Sequence, residues 1–168
     1  MLKASDAVAG DLYGCAVSLS DSLLVVGSIG DDDRGTDAGA AYLYQRTRNG
    51  WAERDKLVAN DDAAAGDQFG YSVALHQGLA VVGAPFKRTQ GSASGAAYVF
   101  RCNAAGCGKA TPLVPAARLS PFDQFGLSVA VRGSTVAVGA PGAKAVDLFA
   151  RRDGSWRWLQ RFDAGPEA

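Results

Sequence analysis

Three stretches of the chain are nearly the same. "GDLYGCAVSLSDSLLVVGS" begins at Gly10, "GDQFGYSVALHQGLAVVGA" at Gly66 and "FDQFGLSVAVRGSTVAVGA" at Phe122, an interval of 56 residues each time. Gly14, Gly70 and Gly126 fall in register, and so do Gly27, Gly83 and Gly139. The register continues downstream: "AGAAYLY" (38–44) matches "SGAAYVF" (94–100), and "KAVDLFA" plays that part in the third copy, about a loop's length early. Each copy closes on a further strand-like run: "WAERDKLVA", "ATPLVPAARLS" and "WRWLQRFDA". A repeat of this size limits the fold severely, because a unit too small to bury its own apolar surface must stack on its neighbours. The copies span about 4–59, 60–117 and 118–164 of one repeat domain.

Each copy predicts four short strands, placed in the second at about 71–75, 79–84, 95–101 and 113–119. The 3.6-residue helical period is absent. The second strand of each copy, "LLVVG", "LAVVG" and "TVAVG", is apolar on both faces, so each sheet is expected to be covered on both sides. Four strands per unit at this period fit all-β architecture, with three four-stranded antiparallel blades of a partial propeller. The 21 glycines and six prolines suit short strands joined by tight turns. Gly70 falls where neighbouring sheets crowd the axis, and Gly83 and Ala84 keep the second strand thin. Pro85 ends that strand because it lacks an N–H, and Phe69 is the apolar plug between sheets.

Lys+Arg and Asp+Glu both number 17, so there is no basic excess for nucleic acid. No apolar run approaches the ~20 residues of a membrane-spanning helix. The N-terminus, "MLKASDAVAGDLYG", shows no basic segment leading into an apolar one, so no signal peptide is read there. His76 is the only histidine and sits in a hairpin turn. No nucleophile, base and orienting group converge, and no P-loop or zinc motif occurs, so the chain does not read as an enzyme.

"QFGYSVAL…LAVVGAP" and "QFGLSVAV…VAVGAP" resemble FG-GAP repeats, the blades of integrin alpha-chain-like propellers, and the context "KLVANDDAAAGDQFG…GAAYVF" resembles the bacterial branch. Phe69-Gly70 with Gly83-Ala84-Pro85, and Phe125-Gly126 with Gly139-Ala140-Pro141, match in full. The first copy keeps Tyr13-Gly14 and Gly27 but has Ser28-Ile29 in place of the last two motif residues. The resemblance implies a β-propeller of secreted or cell-surface proteins that bind proteins or other surface ligands, often in adhesion. The family's acidic calcium loop does not carry over, because the interval between the two motif halves is a tight turn here: "SLSDSL", "LHQGLA" and "VRGSTV". Three blades are fewer than a closed propeller uses. The chain therefore reads as part of a longer array, with further blades in cis or by self-association.

Calcium is the one cofactor the residues suggest. The loop "GDDDRGTDAG" offers Asp31, Asp33 and Asp37 at alternating spacing; the other reading is a solvated turn. Asp11, Asp67 and Asp123 recur in every copy, either as ligands around one face or as acceptors for local backbone N–H groups. Cys102 and Cys107 flank a turn, either as a hairpin disulfide, as free thiols or as part of a metal site. Cys15 is expected to be a small buried hydrophobe. The strand-three aromatics, Tyr42, Tyr44, Tyr98, Phe100 and Phe149, are expected to form inter-blade core, and Trp51, Trp156 and Trp158 to lie on outer strands.

Overall fold

The computed structural model describes residues 3–59, 62–89 and 92–165. Alternating and continuous apolar runs become strands in each repeat. In the first, β1 (Tyr13–Ser20), β2 (Leu23–Ser28), β3 (Ala40–Thr47) and β4 (Gly50–Leu57) pair in sequential order. The second holds β5 (Ser72–His76), β6 (Leu79–Ala84), a small hairpin of β7 (Arg88–Thr89) and β8 (Ser92–Ala93), and β9 (Ala96–Asn103). Its outer strand is split into β10 (Gly106–Cys107) and β11 (Thr111–Pro112), both paired with β9. The third holds β12 (Ser128–Arg132), β13 (Thr135–Ala140), β14 (Ala145–Arg152) and β15 (Ser155–Asp163), again in order. All three sheets are antiparallel and blade-like, and they do not close into a ring.

The split outer strand corrects the strand expected at 113–119. Beyond β10, only Thr111 and Pro112 pair with β9, and after the Leu113 N–H bonds the Ala97 carbonyl the chain leaves the sheet. Pro112 and Pro115 supply no N–H to a ladder. The tight turn after Cys102 also starts the returning strand early.

The middle strands are buried because each blade is covered by the next. Leu23, Val25, Leu43 and Leu57 of the first blade form one core with Phe69, Leu75, Val82, Tyr98 and Phe100 of the second. Val81, Val99 and Leu113 form another with Phe125, Val136, Val138 and Phe149 of the third. The inner edge strands β1, β5 and β12 lie side by side. Ser18 and Ser20 of β1 accept hydrogen bonds from the Leu75 and Gln77 N–H groups at 2.9 and 3.1 Å.

Candidate functional site

The recurring glycines and aromatics build the joints between blades. Phe69 and Phe125 are fully buried, with Phe69 5.7 Å from Tyr98 and 6.0 Å from Phe100, and Phe125 6.1 Å from Phe149. Edge-to-face rings at this spacing add to their burial. Gly70 and Gly126 follow at φ +93, and their N–H groups bond the Gly83 and Gly139 carbonyls at 3.0 Å. A Cβ on Gly27 would overlap the Gly70 carbonyl, and one on Gly83 the Gly126 carbonyl. Ala84, Pro85, Gly139 and Ala140 are buried, whereas Pro141 is exposed and opens a single helical turn. In the first blade Tyr13 stacks on Tyr42 at 5.8 Å and Gly14 keeps φ +94.

Asp31 and Asp33 do come together, but with Asp6 and not with Asp37. Their oxygens lie within 4.8 Å of one another. The cation among them is Lys56 of β4, whose Nζ stands 2.7 Å from one oxygen of each. Lys56 sits opposite Tyr42 in the ladder, and the Tyr42 hydroxyl lies 2.8 Å from both Asp6 and Asp31, donating to one at a time. Burial would lower the Lys56 pKa, but hydrogen bonds to Asp31, Asp33 and Asp6 hold it above the usual lysine value. Asp6 is raised by burial and lowered further by Lys56 and Tyr42, so it ends below the ordinary carboxylate value. Asp37 belongs to the loop turn, where its N–H bonds Asp32 Oδ1 at 2.8 Å.

One repeat later a cation stands at the position of Asp31. Lys87 follows Asp31 by the repeat interval, and Asp62 follows Asp6. Lys87 Nζ lies 2.9 Å from Asp67 Oδ2 and 3.6 Å from Asp62 Oδ2, and it also bonds the Asp62 carbonyl. In the third blade Asp147 stands at the ladder position of Tyr42, opposite Arg161. It accepts from Arg161 Nη2 at 3.0 Å and from Trp158 Nε1 at 2.8 Å. Every blade thus holds an ion cluster around one buried carboxylate: Asp31, Asp67 or Asp147. Asp11, Asp67 and Asp123 accept from the N–H groups of Val8, Ala64 and Ser120 at 2.8, 2.9 and 2.6 Å. They shape the turn that enters each inner strand.

Cys102 and Cys107 are joined by a disulfide. Cys15 departs from the expected burial: the residue is exposed, at the same inner-strand position as the partly exposed Tyr71. Its thiol turns toward the Gly70 carbonyl, and burial of the sulfur pushes its pKa up.

The hairpin turns of the second and third blades line an open cleft of about 620 Å³, and a second of about 430 Å³ along the outer strands shares Arg101, Arg151 and Gly154 with it. Arg101 and Arg151 line both, Lys109 and Trp156 line the second, and no carboxylate lines either. Among the described residues none of these three cations makes an ion pair. Gln77, Asn103 and Ser134 add neutral hydrogen-bonding groups. The three cations are scattered through the sequence and carry no repeat signal, so sequence reasoning missed them.

A family model described as FG-GAP repeat matches residues 1–44, 51–100 and 116–155. Comparison with curated proteins returns no match.

Proposed function

The chain belongs to the FG-GAP repeat family, and from that premise we propose that it is a non-catalytic binding module of β-propeller type, working at a cell surface or outside the cell. Its ligand enters the cleft between the second and third blades. The observation that carries this reading is the pair of clefts between these blades: Arg101 and Arg151 line both, Lys109 lines the second, and no carboxylate lines either. Unpaired cations beside low-dielectric walls focus the field on an anion, and Arg presents a planar fork to carboxylate or sulfate. Trp156 and the neutral polar groups suit the rings and hydroxyls of an acidic surface glycan. The Cys102–Cys107 disulfide supports an oxidising compartment.

The test is binding of dextran sulfate against neutral dextran at fixed ionic strength, for the wild type and for Arg101→Gln combined with Arg151→Gln. The expected result is sulfate-dependent binding that the double variant weakens about tenfold, the scale of ~1.4 kcal/mol. Equal binding of both polymers, or binding indifferent to the two substitutions, overturns the cleft as the site.

A further inference from the structure

The two joints inside the chain show what one blade must present to receive the next. The receiving blade offers a ledge in the loop before its third strand. Thr36, Asp37 and Ala38 accept the Gly66, Gln68 and Phe69 N–H groups at 2.8, 3.1 and 2.9 Å; Ala93 and Ser94 accept those of Phe122 and Phe125 at 2.8 and 3.0 Å. It also offers a glycine just before that strand. A Cβ on Gly39 would overlap the Phe69 backbone, and one on Gly95 the Phe125 backbone. The docking blade brings the aromatic-glycine step and two apolar side chains of its inner strand: Val73 and Leu75 against the first blade, Val129 and Val131 against the second.

The outward face of the first blade carries the same docking parts. Tyr13 packs on Tyr42 within its own blade, in a cluster that Ala4, Val26 and Tyr44 complete, but the glycine and the two inner-strand side chains stand uncovered. Val17 and Leu19 fall where Val73 and Leu75 meet a neighbour, yet they are 65% and 63% exposed, against 7% for Leu75. Gly14 holds φ +94, the conformation of Gly70 and Gly126, with no other atoms near its Cβ position. Gly10 and Leu12 stand in register with Gly66 and Gln68, and their N–H groups find no acceptor among the described residues.

The outward face of the third blade lacks the receiving parts. Its loop shrinks from 29–39 and 85–95 to 141–144, which removes the ledge. Lys144, at φ +51, takes the place of Gly39 and Gly95, so a side chain stands where an incoming Phe backbone would lie. The face is still apolar, with Val146 and Phe162 exposed, but without ledge or glycine it cannot form the same joint.

We infer that the first blade's outward face is a docking surface for a blade of the same repeat type that carries both ledge and glycine, and that the third blade of a second copy is not that partner. The array extends by this joint in one direction only. This stands independently of what the turn-end cleft binds.

The test is addition of a blade. A second copy of residues 62–117 is fused before residue 6, or after residue 164, of the full chain, and thermal unfolding and hydrogen exchange are compared. Addition in front is expected to raise Tm by about 5 °C or more and to slow exchange in β1, and Gly83→Leu in the added copy is expected to abolish both. Addition behind is expected to raise nothing until residues 141–144 are replaced by the sequence of 85–95. Equal gains at both ends overturn the inference, as does unchanged β1 exchange with the blade in front. A discrete wild-type dimer in light scattering with β1 protected also overturns it, because the face would then belong to a second copy.

Discussion

At the scale of single residues, the buried charges are where the fold is most exposed to mutation. Lys87 and Asp67 are both buried, and Asp67 Oδ1 has no hydrogen-bond partner among the described residues. Removing the ammonium leaves a carboxylate without compensation in a low-dielectric site, which costs more than the pair contributes. Lys87→Met is therefore expected to lose about 3–5 kcal/mol in urea unfolding. Lys56→Met should lose less, because the Asp6 and Asp33 carboxylates reach water. Its penalty should also depend on pH. Asp6 is held below 3.8, so its contribution is complete above that value and fades as pH falls through the lower, folded one. Lys56 is held above 10.5, so its contribution is complete below that value and is lost as pH rises through the folded one. The gap between wild type and Lys56→Met should thus be flat from about pH 5 to 9 and narrow below about pH 4. A gap that stays constant down to about pH 2 would show that the cluster is not what holds these segments. With the ammonium already among the three carboxylates, millimolar calcium is expected to leave the wild-type Tm unmoved; a rise would show Asp31 and Asp33 acting as metal ligands.

At the scale of elements, what could be read in advance follows from how local the signal is. The 56-residue interval and the two-faced apolar runs place β2, β6 and β13 correctly, since burial on both faces leaves its mark in the sequence itself. The outer strand of the second blade was not legible, because "ATPLVPAARLS" carries strand-like side chains whose prolines deny it a ladder. The ion clusters were half legible. Asp31 and Asp33 stand close in sequence, but Lys56 reaches them only through its register opposite Tyr42. The comparison of Asp31 with Lys87 at the repeat interval was the available clue that a cation belongs there. The cleft was illegible, since Arg101, Lys109 and Arg151 meet only when two blades stack. The split outer strand also makes the disulfide a structural clamp on one element. It closes a loop of sequence separation 5 at the β9–β10 turn, and the Cys107 N–H is held by Asp55 of the first blade at 2.8 Å. Replacing both cysteines by serine is expected to cost about 2 kcal/mol by the loop-entropy relation. Faster exchange should be confined to β10, β11 and the adjoining end of β4. No change in Tm would mean that the turn holds without its crosslink.

At the scale of the whole molecule, stability is a chain of blades and joints. Each joint has a core shared by its two blades only: the first joint's core holds no residue of the third blade, and the second joint's core holds none of the first. A further cluster, Ala4, Val26, Ala40, Tyr42 and Tyr44, lies within the first blade alone. In such an array stability is close to a sum of unit and nearest-neighbour terms, so damage to one joint should release one end and spare the other. Phe125 is the plug of the second joint, fully buried against Phe149 and Val138. Phe125→Ala removes a ring from a filled core and is expected to cost about 3–5 kcal/mol. In hydrogen exchange the loss should appear in β12 to β15, while β1 to β4 keep wild-type protection, because the Phe69 joint is untouched. Phe69→Ala should give the reverse pattern at the first blade and leave the third bound to the second. If Phe125→Ala instead raises exchange equally in all three blades, they fold as one cooperative unit, and the nearest-neighbour description fails.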